Sequence, residues 1–196
     1  MPHSVTASKL SFRLPLLIVA LLSVAACSDG NNLGAAGAMN FASAQERSGE
    51  ISPERRAYAI AVAKKMRAQR QRVWCVPFAR NVSGVDIRGN AKTWWAQARG
   101  SYQRSHAPKV GAVMAFSASR KIPLGHVAVV SAVDSPRQIR IDHANWKRNQ
   151  VSLDMVVMDV SPKNDWSKVR VMSQPNTLGS VYPVSGFILN GAHVRS

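Results

Sequence analysis

The distribution of apolar residues changes at Pro108, and this change limits the folds that the chain can adopt. Before Pro108, apolar residues recur at helical spacing in segments that begin near Ser52, Cys75 and Ala91. After it, Val and Ile dominate in segments bounded by Gly, Pro, Asp and Ser, at 110–116, 126–133, 138–143, 151–160 and 181–189. Helices followed by strands predict an α+β fold with an antiparallel sheet.

The first 27 residues have the pattern of an export signal. Lys9 and Arg13 precede an apolar run, 14–26. This run is too short to span a membrane, because a membrane-spanning helix needs about 20 residues. The sequence 24–27 resembles a lipobox, which makes Cys27 a candidate lipid anchor; cleavage just before Cys27 to give a soluble product is the alternative. We expect an exported protein that is periplasmic or anchored at the outer membrane as a lipoprotein, or else secreted.

The rest of the chain has room for one domain. Residues 28–50 are rich in Gly, Ala, Asn and Ser and predict a flexible linker, 51–190 predict a single folded domain, and 191–196 form a tail. A monomer is expected. The formal net charge of +16 attracts polyanions in general, but the basic residues are scattered. The basic segment 55–72 is interpreted as a solvated helix face, and nucleic acid is not an expected partner.

Cys75 is the residue that first suggests chemistry. The chain has only two cysteines, so acylation of Cys27 would leave Cys75 without a partner. The alternatives are a disulfide to Cys27, an inert buried thiol, or a nucleophile. Cys75 directly precedes a predicted helix, whose positive end predicts a lowered thiol pKa.

His126 is the candidate proton carrier, because it opens an otherwise apolar predicted strand. On the next strand, alternation puts His143 and Asn145 on one face and Asp142 on the other. Either His143 or Asn145 could therefore orient His126, as the third member of a triad does. A structural role for His126, and a turn-closing role for Asn145, are the alternatives.

Six sequence blocks resemble, in order, those of the CHAP domain. They are Cys75-Val76-Pro77-Phe78-Ala79-Arg80, Ser83-Gly84-Val85-Asp86-Ile87-Arg88-Gly89-Asn90-Ala91, Trp94-Trp95, Pro108-Lys109-Val110-Gly111, Gly125-His126-Val127-Ala128-Val129-Val130 and His143-Ala144-Asn145-Trp146. The resemblance covers roughly residues 72–189. It implies a cysteine- and histidine-dependent amidohydrolase or peptidase of the NlpC-type, papain-like group. The implied fold has N-terminal helices packed on a small antiparallel β-sheet, and needs no metal or cofactor.

The resemblance also implies roles for single residues. Cys75 is the implied nucleophile and His126 the base. Many CHAP domains have an acid followed two residues later by Asn, whereas this chain has His143 and then Asn145, which leaves open which of them orients His126. The implied substrate is peptidoglycan, cleaved at an amide within its peptides or between muramic acid and peptide. The resemblance also implies that 51–190 is a CHAP-like catalytic domain.

Two rival interpretations come from other classes of protein. Cys75, His126 and His143 are acceptable zinc ligands, although their spacing matches no compact zinc pattern. A non-enzymatic basic module that binds wall polymer or another polyanion would also suit the charge. Within the hydrolase interpretation, Gln69 or Gln71 is a candidate second oxyanion donor. Three aromatic residues, Trp94, Trp95 and Tyr102, are candidates for a substrate groove or for the core.

Overall fold

The computed structural model describes residues 50–191. The predicted export signal, Cys27 and residues 28–49 of the predicted linker lie outside the described residues, as do residues 192–196 of the predicted tail. Within 50–191, no helix is both long enough and apolar enough to cross a membrane.

The helical part of the described chain comes first, as predicted. Its elements are α1 (Pro53–Ala68), α2 (Cys75–Ser83), a 3-10 helix (Ala91–Thr93) and α3 (Trp94–Gln97). Ser52 caps α1, because its side-chain oxygen accepts a hydrogen bond from the Arg55 amide at 3.3 Å. Proline at the first helical position needs no hydrogen-bond partner for its nitrogen, which also favours a start at this point.

Helix α1 ends earlier than the sequence predicts. The sequence pattern predicts that the helix extends to about Arg72, but the helix ends at Ala68. Arg70 adopts a left-handed conformation (φ 58°), and the amide of Gln71 returns to the carbonyl of Met66 at 2.8 Å. This closure ends the helix. The chain is extended at Trp74, so that a new helix begins at the next residue.

The strands form one antiparallel sheet. They are β1 (Gln103–Ser105), β2 (Val113–Phe116), β3 (His126–Ser135), β4 (Gln138–Ala144), β5 (Val151–Asp159), β6 (Lys168–Val171) and β7 (Val181–Leu189). Their order is β1-β7-β2-β3-β4-β5-β6, and β6 also pairs with β7. Strands β2 to β7 therefore close into a six-stranded ring, with β1 added beside β7. The α+β class and the antiparallel pairing are as predicted, whereas the closure of the sheet was not predicted.

Strand β7 closes the ring because its two halves have different partners. Residues 181–183 pair with β6, and residues 184–188 pair with β2, where the register shifts between Ala115 and Phe116. The carbonyl of Pro183, between the two halves, accepts a hydrogen bond from the Ser117 amide at 3.0 Å.

Alternation along the strands divides the apolar side chains into two cores. The inner core fills the ring and includes Met114, Phe116, Ile139, Ile141 and Phe187, all buried. The outer core packs the helices against the sheet and includes Phe78, Val82, Trp94, Val113 and Val127. Burial of each large apolar side chain contributes about 1.5–3 kcal/mol relative to exposure. Polar residues on the inner face of a strand therefore project into an apolar ring.

One buried ion pair ties α1 to the sheet. The Arg56 guanidinium lies 2.5 Å and 2.9 Å from the two carboxylate oxygens of Asp142, which is fully buried on β4. Arg56 also contacts Asp154 on β5 at 2.9 Å. The two carboxylates raise the pKa of Arg56 above its already high ordinary value. A bidentate charged pair of this kind fixes both position and orientation of the helix.

Candidate active site

Cys75 is the first residue of α2 and is half-buried. The first amides of a helix have no partner within it, so those of Cys75 and Val76 are available to the sulfur. The amide of Val127, in β3, also reaches the sulfur. Burial raises the pKa of the Cys75 thiol, and these three amides lower it only in part. The direction is opposite to the lowered pKa that the sequence predicts, because desolvation of the thiolate outweighs the helix end.

His126 is the first residue of β3 and is buried, with 5% of its surface exposed. The residue before it, Gly125, has φ +70°. A Cβ at Gly125 would lie 2.6 Å from the backbone nitrogen of Lys92 and 2.9 Å from the carbonyl oxygen of Phe116. No other residue type fits there, so this close backbone approach holds the chain where it delivers the imidazole of His126.

His126 and His143 form a hydrogen-bonded pair. Nε2 of His126 lies 3.0 Å from Nδ1 of His143, which is fully buried on β4. Desolvation lowers the pKa of His126 to about 3. It also lowers the pKa of His143 well below its ordinary value, with the neighbouring His126 as a second cause. Both rings are therefore neutral near pH 7, and the bond between them leaves Nδ1 of His126 free for another partner.

Aromatic rings surround the histidine pair. Phe116 meets the ring of His126 edge-on with centroids 5.6 Å apart. Trp146 lies 5.1 Å from His126 and stacks on His143 at 5.6 Å with 28° between the planes. Tyr182 packs against Trp146 at 4.8 Å. These contacts explain the strong desolvation of both imidazoles. Sequence reasoning did not assign Phe116 or Tyr182 to the site, although strand alternation puts Phe116 on the inner face.

Asp142, on β4, and Asn145, just after it, have partners other than His126. Asn145 has φ 63°, and its side-chain oxygen accepts a hydrogen bond from the Asn149 amide at 2.8 Å. It thus closes the turn after β4, as in the alternative interpretation, while it also borders the pocket described below. Asp142 faces α1, as the alternation predicts. The structure brings His143, and not Asn145, into hydrogen-bond contact with His126.

A pocket of about 680 Å³ joins these elements. Cys75 and His126 both line it, from α2 and β3. Its lining also includes Arg72, Trp74, Lys121, Leu124, Asn145, Trp146 and Tyr182. The sequence-predicted nucleophile and base, which are far apart along the chain, therefore share one solvent-accessible cleft.

Several residues proposed from the sequence lie elsewhere. Neither Gln69 nor Gln71 lines this pocket; both are exposed after the end of α1. Trp94 is fully buried in the outer core, and Trp95 packs beside His106 with ring centroids 5.5 Å apart. The hydroxyl of Tyr102 accepts a hydrogen bond from the Asp86 amide at 2.9 Å. The three aromatic residues are thus structural.

The arrangement of Cys75, His126 and His143 bears on the zinc interpretation. Within residues 50–191, no group of three or more His, Cys, Asp or Glu side chains is arranged to hold a metal ion. The facing nitrogens of His126 and His143 bond to each other at 3.0 Å instead of converging on a common point.

The comparison with protein families agrees with the resemblance seen in the sequence. Residues 66–145 match the family model of the CHAP domain, a range that includes Cys75, His126, His143 and Asn145. Among solved structures, the chain is similar to the N-acetylmuramoyl-L-alanine amidase from Staphylococcus aureus, with 24% identity and a TM-score of 0.40. The similarity covers 58% of this chain and 30% of that chain, so this chain spans less than a third of that amidase. A comparison with curated proteins found no match. The segment that matches the CHAP domain, 66–145, carries the paired histidines and the half-buried thiol.

Proposed function

We propose that this protein is a cysteine hydrolase that cleaves an amide bond in peptidoglycan. The observation that carries the proposal is the meeting of Cys75, at the start of α2, and His126, at the start of β3, in one pocket, with His143 bonded behind His126. A cysteine at a helix end that is packed on an antiparallel sheet bearing the histidine is the arrangement of the papain-like group, in which we place the fold.

The first step begins from a neutral thiol and a neutral imidazole, because burial raises the pKa of Cys75 and lowers that of His126. Nδ1 of His126 takes the thiol proton as Sγ of Cys75 bonds to the amide carbon. The carbonyl becomes an oxyanion, and the backbone amide of Cys75 at the helix end donates a hydrogen bond to it.

The second step returns the proton. Nδ1 of the His126 imidazolium gives its proton to the amide nitrogen, the C–N bond breaks, and the amine leaves behind a thioester on Cys75. Water then attacks the thioester while His126 takes a proton from it. The carboxylic acid departs, and the proton returns to the sulfur, which restores the starting state.

His143 is proposed as the positioning residue for this cycle. With Nδ1 of His126 unprotonated, its Nε2 carries hydrogen and donates to Nδ1 of His143 at 3.0 Å. That bond selects the tautomer in which His126 can act as a base. It also supports the imidazolium, but without the opposite charge that a carboxylate would supply. Asn145 is proposed to stabilise the turn after β4, because its side-chain oxygen accepts a hydrogen bond from the Asn149 amide.

The test is digestion of purified peptidoglycan, with mass spectrometry of the released fragments. Wild type is expected to release fragments with a new carboxyl and a new amine, and Cys75→Ser is expected to release none. Cys27→Ser makes the same change at the only other cysteine and serves as the matched control. It should digest isolated peptidoglycan in detergent as wild type does.

Two results would refute the proposed chemistry. Release of the same fragments by Cys75→Ser would remove the thiol from the mechanism. Binding of peptidoglycan by wild type with no released fragment would favour the non-enzymatic module, which the net charge of +16 also suits.

Because peptidoglycan lies outside the cytoplasm, we also propose that the chain is exported and that Cys27 carries a lipid anchor. The support is the order of charged, apolar and small residues in 1–27. Cells fed a labelled fatty acid should incorporate it into wild type and not into Cys27→Ser. Label in neither form would favour a soluble periplasmic or secreted product.

A further inference from the structure

The wall of the pocket that bears the nucleophile also bears a cation. Arg72 lies three residues before Cys75, and both line the pocket. Its guanidinium carbon lies 4.1 Å from the ring centroid of Trp74, which is 44% exposed. A cation held over an indole face is restrained without being neutralised. Arg72 therefore offers a fixed, hydrated positive charge at the pocket edge.

The same pocket is lined by a second cation, on the loop that leads to the base. Lys121 lies in the loop between β2 and β3, five residues before His126, and lines the same pocket. Its ammonium donates a hydrogen bond to the Ser180 hydroxyl. A hydroxyl restrains the ammonium and, like the indole under Arg72, leaves its charge in place.

No negative charge balances these cations locally. None of the described residues that line the pocket is Asp or Glu. Within residues 50–191, the ion pairs involve other basic residues, such as Arg56, Arg80 and Arg140, and not Arg72 or Lys121. A cleft lined by one sign of charge concentrates ligands of the other sign.

We propose that Arg72 and Lys121 form an anion clamp that selects peptides with a free carboxylate on each side of the scissile amide. The inference rests on the proposed hydrolase function and names the chemistry of its substrate. His126 protonates the leaving amine, so we infer that the amine part of the substrate lies towards His126 and the Lys121 loop that leads to it. The acyl part then lies beside Arg72. Carboxylates are the anions that a peptide offers at these places, and charged hydrogen bonds to them are strong.

The experiment compares soluble muropeptides in two forms, untreated and with their carboxylates converted to carboxamides by carbodiimide and ammonia. Wild type is expected to cleave the untreated form about tenfold to a hundredfold faster in kcat/KM, the range for losing one or two charged hydrogen bonds. The difference is expected in KM more than in kcat, because the clamp binds ground state and transition state alike.

The variants Arg72→Gln and Lys121→Gln should each lower kcat/KM for the untreated form about tenfold and leave the amidated form unchanged. Arg67→Gln and Arg120→Gln remove the same charge from exposed residues outside the pocket and should change neither. All four positions are exposed, so the variants should remain folded. Equal loss on both forms would overturn the clamp.

Binding measured with Cys75→Ser separates failure of the clamp from failure of the proposed function. This protein should bind untreated muropeptides more tightly than amidated ones, whether or not wild type cleaves them. Equal affinity for the two forms would overturn the clamp alone. Absence of any cleavage by wild type, together with tighter binding of the untreated form, would overturn the hydrolase and leave the clamp as an anion-binding site.

Discussion

Two neighbouring residues of β4 are both fully buried, yet their surroundings differ completely. Asp142 points to the helices and His143 points into the ring, because successive side chains of a strand alternate. The Asp142 carboxylate has three donors, two from Arg56 and one from the Asp154 amide at 2.9 Å. His143 has one hydrogen-bond partner, His126. Its other ring nitrogen, Nε2, is buried and has no hydrogen-bond partner among the described residues.

The difference distinguishes the pair that joins α1 to the sheet from the pair that we propose to be reactive. A buried carboxylate with three hydrogen-bond donors is held in one position, and Arg56 and Asp142 accordingly lock α1 to the sheet. A neutral imidazole whose second ring nitrogen is free of the pair, as Nδ1 of His126 is, can exchange a proton at that nitrogen. His126 and His143 have this second character, and their pocket contains the thiol. The following predictions test whether the division is real, in order of decreasing effect.

Removal of the proposed base should have the largest effect on activity. His126→Gln is expected to lower kcat/KM on peptidoglycan about 10³-fold, the usual contribution of a positioned general acid and base. The measurement is fragment release followed by mass spectrometry, with circular dichroism to confirm folding. His106→Gln, on an exposed histidine away from the pocket, is the matched control. An activity within tenfold of wild type would assign His126 to structure, like Asp142.

On the other face of β4, loss of charge should affect folding and not chemistry. Asp142→Asn is expected to lower the free energy of unfolding by about 3 kcal/mol, since it leaves Arg56 without its buried counter-ion. The side chains of Asp142 and Arg56 are 0% and 31% exposed, which places the expected effect at the low end for buried pairs. Urea denaturation measures it. Asp134→Asn breaks the more exposed pair with Arg140 and should change stability by less than about 1 kcal/mol.

Local signals in the sequence predicted most of the elements. The start of α1 follows from the cap at Ser52, and the five Val- and Ile-rich strands follow from their composition and alternation. The second helix was predicted to follow Cys75, from the early Pro77, and begins one residue sooner, at Cys75 itself. Strands β1 and β6 were missed. They span only Gln103–Ser105 and Lys168–Val171 and have too few residues for a period to emerge. Ring closure by β7 was missed because it depends on pairing between distant strands and not on any local pattern.

The candidate site was predictable in its members and not in its electrostatics. Alternation alone placed His143 on the face of His126 and Asp142 on the other. It could not choose between His143 and Asn145, since the choice depends on the left-handed turn at Asn145, which directs its side chain to Asn149. The predicted lowering of the Cys75 pKa was wrong, because the sequence showed the helix end and not the depth of burial.

Substitutions at His143 and at Asn145 should show which of the two residues orients His126. His143→Ala is expected to lower kcat about 30-fold with little change in KM, as it removes one hydrogen bond that selects the tautomer of His126. Asn145→Gly keeps the left-handed backbone and removes only the bond to Asn149. It should lower kcat less than about threefold and stability by about 1 kcal/mol. A larger loss of kcat in Asn145→Gly than in His143→Ala would reverse the assignment.

The histidine pair should also make stability depend on pH. In the folded state the pKa of His126 is lowered to about 3 and that of His143 is also lowered, whereas the pKa of histidine in the unfolded chain is about 6.5. Below pH 6.5 the unfolded chain therefore binds more protons, and stability falls as pH falls. Each histidine contributes up to about 1.4 kcal/mol per pH unit.

The window from pH 6.5 to 5 isolates this effect, because carboxylates with a lowered pKa, such as that of Asp165 at about 2, lose their contribution further down. Urea denaturation of wild type and His126→Gln across this window is the measurement. The variant has one of the two buried histidines fewer, so its unfolding free energy should fall about half as steeply. Equal slopes in the two proteins would mean that His126 is charged in the folded state, and the contrast with the Arg56 and Asp142 pair would then disappear.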